Sequence, residues 1–159
     1  MRLFFLVLLL QGCSLYAQFS DNFSDGDFVK NPEWLGLSDW FIVDEAPSSL
    51  RLNAPAEAGT AFLFTASQSM EAAIWQFSFR MGFNPSSANY ARVYLAADGT
   101  DLAQLHAAFY VVLGSSDDHV SLWQVKNGQH ERLIKGEAGR LNSSHPEGRV
   151  RVTRHREGR

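Results

Sequence analysis

AIWQFSFRMGF, running from Ala73 to Phe83, places Trp75, Phe77, Phe79, Met81 and Phe83 at every second position, with Gln76, Ser78 and Arg80 between them. A helix would scatter those five apolar side chains around its axis. A strand gathers them on one side, so this stretch predicts a half-buried antiparallel β-strand. Asn84-Pro85-Ser86-Ser87 then supplies turn-forming residues. Beyond it the alternation resumes, with Ala91, Val93, Leu95 and Ala97 on one face and Tyr90, Arg92 and Tyr94 on the other. The pattern predicts a hairpin over Ile74 to Asp98 with one apolar face and one polar-aromatic face.

Working outward, short strands follow one another. Trp40 to Val43 is a continuous apolar run suited to a buried strand, Leu50-Arg51-Leu52 alternates until Ala54-Pro55, and Thr60 to Thr65 begins again after Gly59. Ala107 to Leu113 reads as a strand with Phe109, Val111 and Leu113 inward, and His119 to Lys126 as another carrying Val120 and Leu122 inward. Asn127-Gly128 takes the positive backbone angles of a type I′ turn, so it joins that strand to His130 to Lys135 as a hairpin. Arg149 to Thr153 is the last alternating run, and Phe19 to Phe23 reads as a short first strand. With no helical pattern after the N-terminal segment and no internal repeat, the fold class is all-β, an antiparallel β-sandwich or jelly roll. No returning strand follows Thr153. The domain therefore reads as incomplete at its C-terminus, with Phe19 to Phe23 left unpartnered.

The chain has 159 residues, 45% of them hydrophobic and 13% aromatic, which suffices for one domain with a packed core. A net charge of -3 lacks the basic excess with which nucleic-acid binders neutralise phosphates, so nucleic acid is excluded as the expected partner. Arg2 followed by LFFLVLLL and a small residue at Ala17 reads as a signal peptide over residues 1–17. Its apolar run of about eight residues is far below the roughly 20 that span a bilayer, so no transmembrane segment is expected in the mature protein. Leu10-Gln11-Gly12-Cys13 is the rival reading, a lipobox that would leave Cys13 lipidated. Either route predicts a secreted or cell-surface protein. Cys13 is the single cysteine, so a mature chain cut after Ala17 forms no disulfide, and the five histidines lack metal-pair spacing.

FSDNFSDGDF, NPEW, the Trp-Phe-Ile-Val strand, LRLNAP, GTAFL, FNPSSANYARVYL and VSLW together resemble a concanavalin A-like (laminin G-like) domain. That domain lies near the start of large secreted proteins of Bacteroidota-type bacteria, often followed by a lamin-tail domain. The resemblance covers Gln18 to about Thr153, and FNPSSANYARVYL is its most specific piece. It implies a jelly roll serving as a non-catalytic module at the cell surface. Concanavalin A-like folds also include glycoside hydrolases, which need two carboxylates flanking the scissile bond. Here the acids at Asp98, Asp101, Asp117, Asp118, Glu131 and Glu137 all fall in or beside expected turns, and no Glu-x-Asp-x-Glu triplet occurs. A hydrolase fragment is therefore the weaker reading, and fold sharing alone is analogy.

Two groups of residues carry candidate chemistry. Asp21, Asp25 and Asp27, with Asn22, concentrate the hard oxygen ligands of a structural calcium, although Phe23 interrupts the spacing of an EF-hand. Turn formation explains the same residues without an ion. The other group is the polar side of the expected hairpin: Gln76, Ser78 and Arg80 beside Tyr90, Arg92 and Tyr94, with Trp123 and Arg151 from later strands. Rings together with guanidinium and amide donors are the materials for stacking on sugars and bonding hydroxyls or carboxylates. The expected ligand residues are Gln76, Arg80, Tyr90, Arg92, Tyr94 and Trp123, on a solvated face whose truncation costs little stability. The expected partner is a polysaccharide or other surface glycan. Ordinary cross-strand pairing on a solvated sheet accounts for the same residues, and a spacer or docking domain for other surface proteins is the alternative function.

Overall fold

The structure is a computed structural model that describes residues 20–67 and 72–155. Residues 1–17, read as a signal peptide, lie outside the described residues, and Cys13 with them. Two compact units divide the chain, one ending at Thr65 and the other beginning at Ala66. Both are built from antiparallel strands, and the one helical segment among the described residues is a single 3-10 turn at Ser38–Trp40. No helix among the described residues is long and apolar enough to cross a membrane.

In the first unit, β1 (Leu35–Gly36) pairs with β4 (Leu63–Phe64), while β2 (Phe41–Glu45) and β3 (Ser48–Leu52) form a hairpin with Phe41 opposite Leu52. The strand expected over Thr60 to Thr65 is thus only two residues long. Ser20 to Phe23 is not a strand either, contrary to the expected first strand. The Asp21 carboxylate accepts the Phe23 N–H at 2.8 Å and the Asn22 side chain accepts the Ser24 N–H at 3.1 Å. These side-chain bonds bend the backbone, and Phe23 takes a φ of +55°.

Six strands make the second unit: β5 (Ala73–Arg80), β6 (Ala91–Ala97), β7 (Ala107–Gly114), β8 (His119–Lys126), β9 (Gln129–Lys135) and β10 (Glu147–Arg154). β6, β7, β8 and β9 form one sheet in sequence order, and β5 pairs with β10 in another. The β8–β9 hairpin is as expected, with Asn127 at φ +52° and Gly128 at φ +74°. The Ile74 to Asp98 hairpin is not. β5 lies opposite β10, Ser78 facing Arg149 and Phe79 facing Gly148, and β6 lies opposite β7 in the other sheet.

The apolar faces predicted for β5 and β6 are real, but they meet across the interior of a sandwich. Trp75, Phe77 and Phe79 from β5 and Val150 and Val152 from β10 pack on a cluster containing Leu95, Val111 and Leu113 of the four-stranded sheet, closed by Met81 and Leu141. Two strands with one apolar face each can bury those faces side by side in one sheet or face to face from two, and local alternation is the same in both cases. Phe83, expected on the buried face, is exposed because β5 ends at Arg80 and the chain turns away to change sheets.

The segment from Met81 to Tyr90 makes that crossing and is pinned at several points. The Met81 N–H donates to the Pro146 carbonyl at 2.9 Å, and the Asn84 side chain accepts the Ser143 N–H at 3.2 Å while donating to Asn142 at 3.1 Å. Pro85 is buried against Gly114 at the end of β7, where φ is +97° and an added Cβ would collide with the Pro85 ring. Gly114→Ala therefore combines a left-handed backbone with overpacking and should lower stability by at least about 2 kcal/mol in a denaturant melt. Leu113→Ala, which empties space in the core, should cost about 2–5 kcal/mol. Gly82→Ala, with no atom within 4 Å of the added methyl, should leave the midpoint nearly unchanged.

Candidate functional site

The face of the four-stranded sheet turned away from that core carries the candidate site. Alternation along β6, β7 and β8 sends Arg92, Tyr94, Tyr110, Val112, Ser121 and Trp123 to this side. The pairing register then lines them up in rows, with Tyr94 opposite Tyr110, Tyr110 opposite Trp123 and Trp123 opposite Arg132. Irregularities flank the row at both edges, between Tyr94 and Ala96 on β6 and between Leu122 and Trp123 facing β9. Such bulges commonly re-aim side chains beside binding sites.

Tyr94 and Tyr110 stack with ring centroids 5.0 Å apart, Tyr110 and Trp123 stack at 6.1 Å, and the His130 ring meets Tyr110 edge-on at 5.8 Å. Below the row, Leu105, Ala108, Val112 and Val125 bury the ring edges. The Tyr110 hydroxyl and His130 Nδ1 are hydrogen-bonded at 2.9 Å, and the Trp123 indole donates to the Ser121 hydroxyl at 2.8 Å. Two guanidiniums lie on these rings. Arg92 sits 5.3 Å from the Tyr90 centroid and 5.7 Å from that of Tyr110, and donates to the Tyr90 hydroxyl at 2.6 Å; Arg132 sits 5.5 Å from the Trp123 centroid. The whole borders a cleft of about 440 Å³ whose lining includes Tyr90, Arg92, Tyr110, His119, Trp123 and Arg132.

Burial works against the Arg92 charge, yet the Tyr94 and Tyr90 side chains more than offset it and raise its pKa above the ordinary value. The Tyr94 hydroxyl meets no hydrogen-bond geometry, so its contribution there is electrostatic. Burial also raises the Tyr110 pKa, partly opposed by the Arg92 charge. One carboxylate lines the cleft, that of Asp117. It accepts from Lys135 Nζ at 2.7 Å, and that bond and charge lower its pKa.

Of the six expected ligand residues, four gather here: Tyr90, Arg92, Tyr94 and Trp123. Gln76 and Arg80 do not. They lie on the exposed face of β5, in the other sheet of the sandwich, because β5 pairs with β10. Tyr94 is also less solvated than expected, being partly buried against Tyr110 and the second cluster. Tyr110, His119, His130 and Arg132 complete the site beyond the expected set. For Arg132 the signal was present, since a two-residue Asn127-Gly128 turn puts position 132 directly opposite Trp123.

The three expected calcium residues make hydrogen bonds of their own. Asp21 accepts the Trp34 indole N–H at 2.8 Å as well as the Phe23 N–H, Asp25 accepts the Asp27 N–H at 3.4 Å, and Asp27 accepts from Val29 and Lys30. Among the described residues no three His, Cys, Asp or Glu side chains converge.

A pH dependence follows from Tyr110. Its folded pKa is above the unfolded value of about 10, so its contribution to stability is fully present below that value and is lost as pH rises through the folded pKa. Tyr110→Phe should flatten the fall of melting temperature above about pH 10. At neutral pH the same change should cost about 0.5–1.5 kcal/mol, through the lost bond to His130.

Comparison of the chain with known protein families, curated proteins and solved structures found no match.

Proposed function

We propose that this chain is a non-catalytic β-sandwich module of a secreted or cell-surface protein that binds carbohydrate on the outer face of its four-stranded sheet. The observation that carries the reading is the row Tyr94, Tyr110, Trp123 and Arg132 at one level across four strands, beside an open cleft. Fixed rings form apolar walls, and guanidinium, imidazole and hydroxyl groups between them offer directional polar contacts, the combination that orients a ligand in a mostly apolar cleft. The concanavalin A-like jelly roll that the sequence resembles belongs to this proposal, as do export through residues 1–17 and the lamin-tail association.

Support for a binding rather than hydrolytic role comes from the carboxylates. A hydrolase needs two at the scissile bond, whereas the cleft lining contains Asp117 alone, bonded to Lys135. A protein-docking or spacer role is the second reading. The observation in its favour is β9, the edge strand of the sheet, which is exposed throughout and presents Leu133 at 43% and Ile134 at 59% exposure.

Glycan-array screening followed by calorimetry tests the proposal. Trp123→Ala and Tyr90→Ala should each weaken binding at least about tenfold, a loss of about 1.4 kcal/mol. Gln76→Ala and Arg80→Ala should leave affinity unchanged, because both side chains belong to the other sheet. Binding that survives the first pair and falls with the second would return the site to β5. No glycan binding, together with a partner protein lost on Ile134→Asp, would favour docking.

A further inference from the structure

We infer that the ligand of this cleft is acidic, a glycan bearing carboxylate or sulfate groups; the inference rests on the carbohydrate-binding reading and deepens it. Three observations point to an anion. The first is that guanidiniums accompany the rings. Arg92 lies over Tyr90 and Tyr110, and Arg132 over Trp123, so a ligand at the rings also meets fixed positive charge.

Second, positive charge outweighs negative in the cleft. Its one carboxylate, Asp117, accepts from Lys135 and also feels the Arg132 charge at longer range, whereas neither Arg92 nor Arg132 has a carboxylate within 4 Å among the described residues. Arg92 commits one donor, to the Tyr90 hydroxyl, and the Arg132 side chain makes no hydrogen bond among those residues. Each guanidinium carries five N–H donors in a planar fork that matches a carboxylate or sulfate edge. This concentration of positive charge occurs on a chain whose net charge is -3.

Third, His119 lines the same cleft at 4% exposure with both ring nitrogens lacking a hydrogen-bond partner, Asp117 Oδ2 standing 4.0 Å from Nδ1. A buried polar group without a partner is costly. An anionic oxygen accepting from an imidazole N–H would supply the partner, as it would for the free edges of the two arginines. Rings that hold the guanidiniums in place also reduce the side-chain entropy lost on binding.

The test uses isothermal calorimetry with four probes in two matched pairs: polygalacturonate against its carboxyl-reduced form, and dextran sulfate against dextran. The acidic member of at least one pair should bind at least about tenfold more tightly than its neutral counterpart, and the affinity should fall as salt is raised. Preference between the two acidic probes identifies carboxylate or sulfate as the group held. Arg92→Gln and Arg132→Gln should each weaken acidic binding at least about tenfold while the melting profile shows a folded protein. Arg92→Lys, which keeps the charge and loses the fork, should recover only part of that loss. Equal binding to acidic and neutral members, or indifference to both arginine changes, would overturn the acidic preference while leaving carbohydrate binding standing. Failure of all four probes, with no signal on a glycan array, would overturn both readings.

Discussion

β7 is buried on both faces, and the rest of the second unit is arranged around that constraint. Val111 and Leu113, each 1% exposed, point into the sandwich interior, while Ala108, Tyr110 and Val112 point into the cluster on the other side. A strand apolar on both faces must be covered twice. β5 and β10 cover the first face, and this is why β5 cannot pair with β6: it is needed opposite the sheet that β6 belongs to. The second face is covered by large rings from neighbouring strands, and those rings are the ones that assemble the cleft. Core and site are thus two consequences of one strand's composition.

The strands themselves were legible where alternation was strong. Trp75, Phe77 and Phe79 face the core as their spacing predicts, as do Val93 and Leu95, and Asn127-Gly128 fixes the β8–β9 register. What could not be read was which sheet each strand joins. The partner of β5 arrives from the C-terminal end of the described chain, through contacts that no turn signal announces. Placing Gln76 and Arg80 in the site followed from that missing pairing. In the first unit the strand expected from Phe19 onward is absent over Ser20 to Phe23, where local side-chain bonding by Asp21 and Asn22 takes its place, a competition that apolar spacing does not register.

Much of the site was nevertheless within reach. Tyr94, Arg92, Tyr90 and Trp123 stand out by their chemistry, and the structure brings them together with Tyr110 and Arg132. Tyr110 escaped notice because Ala107 to Leu113 is apolar almost throughout, so its outward positions look like core, which in part they are. His119 was harder to find, since nothing in the spacing of a lone histidine shows that it will be buried without a hydrogen-bond partner. The guanidiniums owe their position to register as well: Arg132 reaches the Trp123 ring because the tight turn sets it opposite, and Arg92 lies over Tyr90, just ahead of β6, and over Tyr110 on β7.

The exchange of β5 from one sheet to the other is what separates Gln76 and Arg80 from the cleft, and cross-strand disulfide trapping measures it most directly. In a Cys13→Ser background, Ser78→Cys with Arg149→Cys places two cysteines directly opposite each other on β5 and β10, where Cβ separations are about 4.5–5.5 Å. Oxidation should crosslink this pair rapidly. The pair Ser78→Cys with Arg92→Cys, on strands of different sheets, should stay reduced. Efficient crosslinking of the second pair and none of the first would show β5 and β6 joined as a hairpin, and would contradict the sandwich arrangement and the site built on it.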